Sequence, residues 1–269
     1  MAVELTFLGT GTSQGVPIIG CSCPRCTSTD PHDKRFRSSV LVKMDSLLTH
    51  NHKDHTGGLD DVRSLNYTDR KAVEIYCEER VLATLRNDYA YAFADHKYPG
   101  APEWHVHLID ERPFRVEPLQ DVGELEWVHD VGYFYRMPDG SLVPSDNAVK
   151  EAPHDSPNII PIRGYHDTMP VLGFRFGNIA YITDMSMLPH AEFCKLQGLK
   201  HLTLNTVGYK PHHSHFSLDQ ALELAGKIGA EHTWLTHLSH TFPCHAEFCM
   251  ELPHNVQPAH DGLTIKDYQ

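Results

Sequence analysis

The segment Leu47-Leu48-Thr49-His50-Asn51-His52-Lys53-Asp54-His55-Thr56-Gly57-Gly58 constrains this chain more than any other. A short apolar run delivers three imidazoles and a carboxylate within six residues, just before a glycine turn. Imidazole nitrogen and carboxylate oxygen are the donors that a borderline divalent ion such as zinc or manganese accepts. Alternation along an extended segment puts His50 and His52 on one side, and the turn that follows throws Asp54 and His55 toward a second point. Two clusters from one loop suggest two metals. The competing reading is a polar surface loop that happens to hold histidines.

Composition agrees with a metalloenzyme. The 269 residues include 21 histidines, nearly as many as the 23 lysines and arginines together. Hydrophobic residues make up 41% of the chain, which suffices for a core and excludes a disordered polypeptide. A formal net charge of −12 argues against sequence-independent binding to a nucleic-acid backbone, which depends on a basic surface. No apolar run approaches the length of a membrane span, and the opening MAVELTFLGTG has no basic segment followed by an apolar stretch, so no signal peptide is expected. Cys21, Cys23 and Cys26 lie within six positions, and the total of seven cysteines is odd. That pattern suits an intracellular metal site, hence a cytoplasmic protein, better than a disulfide framework.

Strands and helices interleave. Val3 to Leu8, Ser39 to Val42 and Leu47 to Thr49 read as strands, and Glu78 to Ala92 as a weakly periodic helix. Hairpins are expected where Pro138-Asp139-Gly140 separates Tyr133-Phe134-Tyr135 from Leu142-Val143, and where Gly177-Asn178 separates Val171 to Phe176 from Ile179 to Thr183. Ser217 with Gln220 forms a capping box that opens a helix with Leu218, Ala221, Leu222, Ala225 and Ile228 on one face, stopped by Gly229. Strands follow at Trp234 to Thr236 and Leu263 to Ile265. The class is α/β or α+β, in one domain over residues 1–269, with an elaboration at about 67–157.

The pattern H-x-H-x-D-H after a hydrophobic strand resembles the signature of the metallo-β-lactamase superfamily. That resemblance implies an αββα sandwich of two mixed sheets flanked by helices. It also implies further ligands in order, met by His166 in Gly164-Tyr165-His166, Asp184 in Tyr181-Ile182-Thr183-Asp184, and His237 in Leu235-Thr236-His237. His50, His52 and His166 would hold one ion, Asp54, His55 and His237 the other, and Asp184 would bridge them. Position gives independent support to Asp184 and His237, since each ends an apolar strand. For the place of His166, His129 and His154 remain alternatives.

Gly9-Thr10-Gly11-Thr12-Ser13-Gln14-Gly15-Val16-Pro17, followed by Cys21-Ser22-Cys23-Pro24-Arg25-Cys26, narrows the resemblance. It is similar to the phosphodiesterase branch that includes the phosphoribosyl cyclic phosphate hydrolase of phosphonate breakdown. The branch implies a structural zinc on Cys21, Cys23, Cys26 and His240, and three thiolates with one imidazole make a closed tetrahedral site. A reactive thiol cluster or simply buried cysteines are the alternatives. The segment Ser214-His215-Phe216-Ser217-Leu218-Asp219 matches the one in which the branch places a general acid, at His215. An exposed capping loop is the plainer reading.

One departure stands out. The superfamily has a strand with an Asp-x-Gly turn and then a helix before the H-x-H-x-D-H strand, whereas here Val40 to Asp45 runs straight into Ser46 to His50. Neighbouring parallel strands need a crossover of a dozen or more residues, so a segment is expected to be missing between Asp45 and Ser46. Conversely, about Val122 to Pro157 exceeds what the family needs. Its aromatics Trp127, Tyr133, Phe134 and Tyr135 suit either a cover for the site or a contact with another subunit in a homodimer.

The expected function is a binuclear metallohydrolase, with two zinc or manganese ions, acting on small or cyclic phosphodiesters. A hydroxide bridging the ions would attack phosphorus, Asp54 would serve among the catalytic residues, and His215 would protonate the departing alkoxide. A tRNA 3′-processing endonuclease, a thioester or lactam hydrolase, and a non-catalytic metalloprotein resembling the pyrroloquinoline-quinone biosynthesis branch are the alternatives.

Overall fold

The computed structural model describes residues 3–42, 46–116, 123–128, 131–145 and 158–267. Its strands are β1 (Val3–Gly9), β2 (Ser39–Val42), β3 (Ser46–Leu47), β4 (Val73–Cys77), β5 (Trp104–Leu108), β6 (Phe114–Arg115), β7 (Glu124–Val128), β8 (Gly132–Arg136), β9 (Leu142–Pro144), β10 (Asn158–His166), β11 (Met169–Phe176), β12 (Ile179–Ile182), β13 (His201–Asn205), β14 (His232–Thr236), β15 (Val256–Pro258) and β16 (Thr264–Asp267). Its α-helices are α1 (Pro24–Thr27), α2 (Lys53–Thr56), α3 (Arg63–Thr68), α4 (Glu79–Asp88), α5 (Leu218–Ile228) and α6 (His245–Glu251). They pack as two compact units. The first comprises Met1–Lys43, Glu111–Pro113 and Pro157–Gln269; the second comprises Met44–Asp110 and Phe114–Ser156.

In the first unit β16, β1 and β2 form an antiparallel sheet, with Leu5 opposite both Ile265 and Val42. Val3, Leu5 and Phe7 point inward at the alternation expected of a half-buried strand. A second sheet runs β15-β14-β13-β12-β11-β10. Its β10–β11–β12 part is an antiparallel meander, and β12 to β15 are parallel. β12 is apolar and buried at every residue, and β13 and β14 are buried along most of their length because both faces are covered. On one side Phe7 of β1 reaches Tyr181, ring centroids 6.4 Å apart. On the other, α5 seats Leu218, Ala221, Leu224 and Ala225 in the core built around Ile182, Leu202, Leu204 and Leu235. The expected capping box is present, with Ser217 Oγ accepting from Gln220 N–H and the Gln220 side chain accepting from Ser217 N–H. Gly229 ends the helix at φ 71°, a left-handed cap that a Cβ would disfavour.

In the second unit β3, β4 and β5 are parallel, and β4 is buried at every residue. Val81, Leu82 and Leu85 of α4 pack with Ile75, Cys77 and Trp104. The antiparallel sheet β7-β8-β9 contains the expected hairpin, turning at Gly140 with φ 85°. Two of its aromatics serve this unit's own interior: Tyr135 is fully buried and its hydroxyl accepts from Ala72 N–H (2.8 Å), while the Tyr133 hydroxyl donates to Ala101 C=O (2.9 Å). β2 pairs with β1 and β3 with β4; the sequence predicts a missing segment between Asp45 and Ser46, and Asp45, with Lys43 and Met44, lies outside the described residues. Among the described residues no helix is long and apolar enough to cross a membrane.

Candidate metal centre

In the second unit, Leu48 is buried in the core around β4 and α4 and anchors the residues that follow. The chain leaves β3 through Thr49 and His50, both buried, and turns at α2. His55 N–H and Thr56 N–H both donate to His52 C=O at 3.0 Å, which folds the loop back on itself. The His50 ring therefore lies 4.6 Å from His52 and 4.2 Å from His55, centroid to centroid. Asp54 Oδ2 lies 3.5 Å from His55 Nε2. Thr49 Oγ1 lies 3.0 Å from His50 Nδ1 and 3.3 Å from His55 Nδ1. Lys53 turns away, with Nζ 2.7 Å from Asp88 Oδ2 and 5.0 Å from the centre of the Tyr89 ring. Its charge is thus neutralised within α4's own surroundings.

In the first unit, Asp184 and His237 follow the C-terminal ends of β12 and β14, parallel strands separated by β13, so both project from one edge of the sheet. Each has positive φ, 57° and 59°, in the left-handed region that non-glycine residues seldom enter and that concentrates at functional sites. Asn205, at the end of β13, holds the backbone beyond Asp184 from both sides: its Oδ1 accepts from Met185 N–H and its Nδ2 donates to Met185 C=O, each 2.9 Å. Thr183 Oγ1 donates to Asp184 Oδ2 (2.7 Å), and His237 Nδ1 lies 3.4 Å from the same oxygen. His166, the last residue of β10, places Nδ1 3.1 Å from Asp184 C=O.

His215, two residues before the α5 cap, puts Nε2 3.3 Å from Asp184 Oδ1 and stacks on His237 at 4.6 Å. Ligand atoms of His166, Asp184 and His215 all lie within 4.8 Å of one another, a spacing a single ion can span. Thus His166, Asp184, His215 and His237, all expected from the sequence, meet within this unit. The alternatives His129 and His154 lie outside the described residues. Beside His215, burial and the neighbouring His215 and His213 hold the His212 imidazole below its ordinary value. A cleft of about 660 Å³ opens from His215 and His237 toward Ser13, Gln14, Tyr209 and Lys210, and among the described residues no carboxylate lines it.

The cysteine cluster also lies within the first unit. Ligand atoms of Cys21, Cys23, Cys26 and His240 converge within 4.8 Å, with His240 Nδ1 3.3 Å from Cys21 Sγ and 3.5 Å from Cys23 Sγ. Cys23 caps α1, its sulfur accepting from Cys26 N–H (3.4 Å), and Cys26 Sγ accepts from Ile18 N–H (3.4 Å). The Cys26 N–H and His240 pull the Cys23 thiol down to about 6, while burial pushes Cys26 up to about 11. The Cys23 sulfur, accepting a backbone N–H, is arranged for thiolate character, and three sulfurs with one imidazole nitrogen fit a closed zinc site. Three residues, His237 to Ser239, separate β14's end from His240, so one stretch carries both His237 and a ligand of this second cluster. Leu238 N–H donates to Thr10 C=O (2.9 Å) and ties that stretch to the opening loop. Of the remaining cysteines, Cys77 is buried, Cys244 half-buried, and Cys194 and Cys249 exposed.

Four residues here escape motif reading. Thr49 lies inside the histidine segment but carries no ligand signal of its own. Ser38, whose Oγ lies 3.0 Å from His237 Nδ1, Thr183 and Asn205 have no sequence signal at all.

Residues 34–238 match the family model of the β-lactamase superfamily domain. A crystal structure described as a new diphosphatase from the PhnP family is 31% identical, covering 99% of this chain and 98% of that one, with a TM-score of 0.77. An octanoyltransferase of Porphyromonas gingivalis (strain ATCC BAA-308 / W83) is also 31% identical, over 96% of this chain and 50% of the relative. The chain thus spans about half the length of the curated relative it matches. Zinc-bound PqqB from Methylobacterium extorquens, 14% identical with a TM-score of 0.64 over 97% of this chain and 99% of that one, shares the fold. The H-x-H-x-D-H loop, the carboxylate and histidine at the strand ends, and these matches together place the chain in the metallo-β-lactamase superfamily, alongside the PhnP family.

Proposed function

We propose that the protein is a two-metal phosphodiesterase acting on small phosphodiesters. The observation that carries this reading is the cleft beside Asp184, His215 and His237. In a chain of net charge −12, its lining among the described residues includes Lys210 and four histidines but no aspartate or glutamate, which suits an anionic substrate. The volume, about 660 Å³, is that of a small-molecule site rather than a groove for RNA. The PhnP-family relative is described as a diphosphatase, an activity that also breaks a phosphorus–oxygen bond.

In this reading His50, His52, Asp54, His55, His166, Asp184 and His237 hold two divalent ions, zinc or manganese, and Cys21, Cys23, Cys26 and His240 hold a structural zinc. Two bound divalent ions supply Lewis acidity toward the phosphoryl oxygens and make a water acidic enough to attack at neutral pH. His215 donates its Nε2 proton to the departing oxygen. Asp184 Oδ1, 3.3 Å from that nitrogen, and Ser214 Oγ, 3.0 Å from Nδ1, hold the ring for the transfer. Lys210 meets substrate charge in the cleft. The cysteines are all free, which suits a reducing compartment such as the cytoplasm.

The test is hydrolysis of bis(p-nitrophenyl) phosphate by manganese-reconstituted protein, with a chelated aliquot, the monoester and a diphosphate ester run in parallel. Chelator-sensitive turnover of the diester without the monoester is expected. Turnover of the diphosphate ester alone would make the protein a diphosphatase, and turnover of none with two ions bound would refute phosphoester hydrolysis.

A further inference from the structure

Four of the ligand imidazoles have an oxygen placed at Nδ1. It is the Asp184 carbonyl for His166 (3.1 Å), Ser38 Oγ for His237 (3.0 Å), and Thr49 Oγ1 for both His50 (3.0 Å) and His55 (3.3 Å). His240 differs, since its Nδ1 faces the cysteine sulfurs. For His166 and His237 the chemistry of the oxygen decides where the proton sits. A carbonyl only accepts, so His166 carries its proton on Nδ1. Ser38 donates its hydroxyl proton to Gly11 C=O (2.7 Å), so toward His237 it can only accept. Asp184 Oδ2, 3.4 Å from the same nitrogen, is a second acceptor there. Thr49 presents one hydroxyl to two Nδ1 atoms, and its two lone pairs can serve both N–H groups at once. Ser38 is 2% exposed and Thr49 6%, so bulk water does not compete for these bonds.

We infer that Ser38 and Thr49 are positioning residues that hold His237, His50 and His55 as Nδ1–H tautomers, so that each offers the lone pair of Nε2 to a metal ion. In a neutral imidazole the proton occupies one nitrogen and the lone pair the other, and whatever group the first nitrogen bonds determines which one can ligate. Were the Thr49 hydroxyl to donate to either ring, that ring would carry its proton on Nε2 and be lost as a ligand through that atom. Thr49 therefore couples two ligands of one loop: the same oxygen sets the ring plane and the tautomer of His50 and His55 together.

The inference rests on the reading that these imidazoles hold metal, and the test separates the two. Full-length protein labelled with 15N and stripped of metal is examined by long-range 15N–1H imidazole correlation, which distinguishes Nδ1–H from Nε2–H rings. The manganese dissociation constant is then measured by competition with a chromophoric chelator. Thr49→Val and Ser38→Ala are each expected to weaken manganese binding about 10- to 100-fold and to shift the affected rings away from the Nδ1–H form. Thr49→Ser and Ser38→Thr, which keep a hydroxyl, are expected to stay within about threefold of wild type. Circular dichroism checks the fold, and if the apolar variants do not fold, the wild-type tautomers and the conservative variants still decide. Nε2–H rings at His50, His55 or His237 in the wild type, or unchanged affinity and tautomers in Thr49→Val and Ser38→Ala, would overturn the inference. A wild-type protein that binds no manganese but shows the Nδ1–H forms would overturn the two-metal reading instead.

Discussion

Gly164 lies two residues before His166, and the contact it makes allows a quantitative test of how the ligands are held. A Cβ at this position would lie 2.0 Å from Met185 Sδ, 2.6 Å from Cε and 2.8 Å from Cγ. Met185 follows Asp184, is fully buried, and has its backbone clamped on both sides by Asn205. The thioether must therefore repack within a filled core, an overpacking cost of about 1–3 kcal/mol. Replacing a strand glycine by alanine returns about 0.5–1 kcal/mol of backbone entropy. Gly164→Ala is thus expected to lose up to a net ~2.5 kcal/mol from these two terms, about 1.3 at their midpoints. With an m value of roughly 3 kcal/mol/M, the urea midpoint falls by up to about 0.8 M, about 0.4 M at the midpoints. Met185→Ala alone costs about 2–5 kcal/mol through its cavity. In the double variant the new methyl occupies space the thioether has left, so the combined loss falls short of the sum by about 1–3 kcal/mol. Urea unfolding of the four proteins completes the cycle, and manganese affinity of the same set reports whether His166 and Asp184 move with the clash. Additivity of the two changes within about 0.5 kcal/mol would refute the close contact and the argument built on it.

Three further outcomes follow from the sites. Cys26→Ser opens the closed cluster and is expected to lower the zinc content of the purified protein by one ion per chain, as read by elemental analysis; an unchanged count would show that the cluster holds no metal. His245, half-buried beside Arg35, His32, His260 and Arg25, is pushed down to about 4, chiefly by burial and then by those charges. Its folded form binds fewer protons than the unfolded chain between about pH 4 and the ordinary imidazole value of about 6.5, so its contribution to stability is complete above that window and is lost as pH falls through it. His245→Gln should flatten the fall of the urea midpoint over that range, and an identical pH profile would exclude the assignment. His215→Asn is expected to lower kcat on the diester by about 10²- to 10⁴-fold while the bound-metal count is unchanged. Loss of an ion in that variant would make His215 a ligand instead of a proton donor.

The elements legible in the sequence are those whose cause is local. The α5 helix and its capping box lie within a dozen residues, and the structure adds Leu224 to the buried face that the spacing of Leu218, Ala221 and Ala225 already marks. The Gly177-Asn178 hairpin likewise depends on neighbouring residues, with Gly177 at φ 58°. Glu78 to Ala92 shows where local reasoning stops. The periodicity suggests one helix, but the α-helix ends at Asp88 and a 3₁₀ turn follows at Ala90–Phe93. Tyr89 is held at that break by tertiary partners: its hydroxyl donates to Thr56 C=O (2.8 Å) and its ring meets Trp104 at 5.5 Å.

The candidate site divides along the same line. His50, His52, Asp54 and His55 are readable because they form one compact motif just after a short apolar run, and Asp184 and His237 because each follows the end of a strand, both of which are local signals. What only the tertiary structure decided is the company those groups keep. Ser38 meets His237 across 199 positions and Asn205 meets Met185 across 20, and no periodicity or motif marks either pair. Chemical type along the chain determines which side chains can hold an ion. Which nitrogen of each ring is left to do so depends on oxygens brought to the other nitrogen by packing, and packing joins residues that the sequence keeps apart.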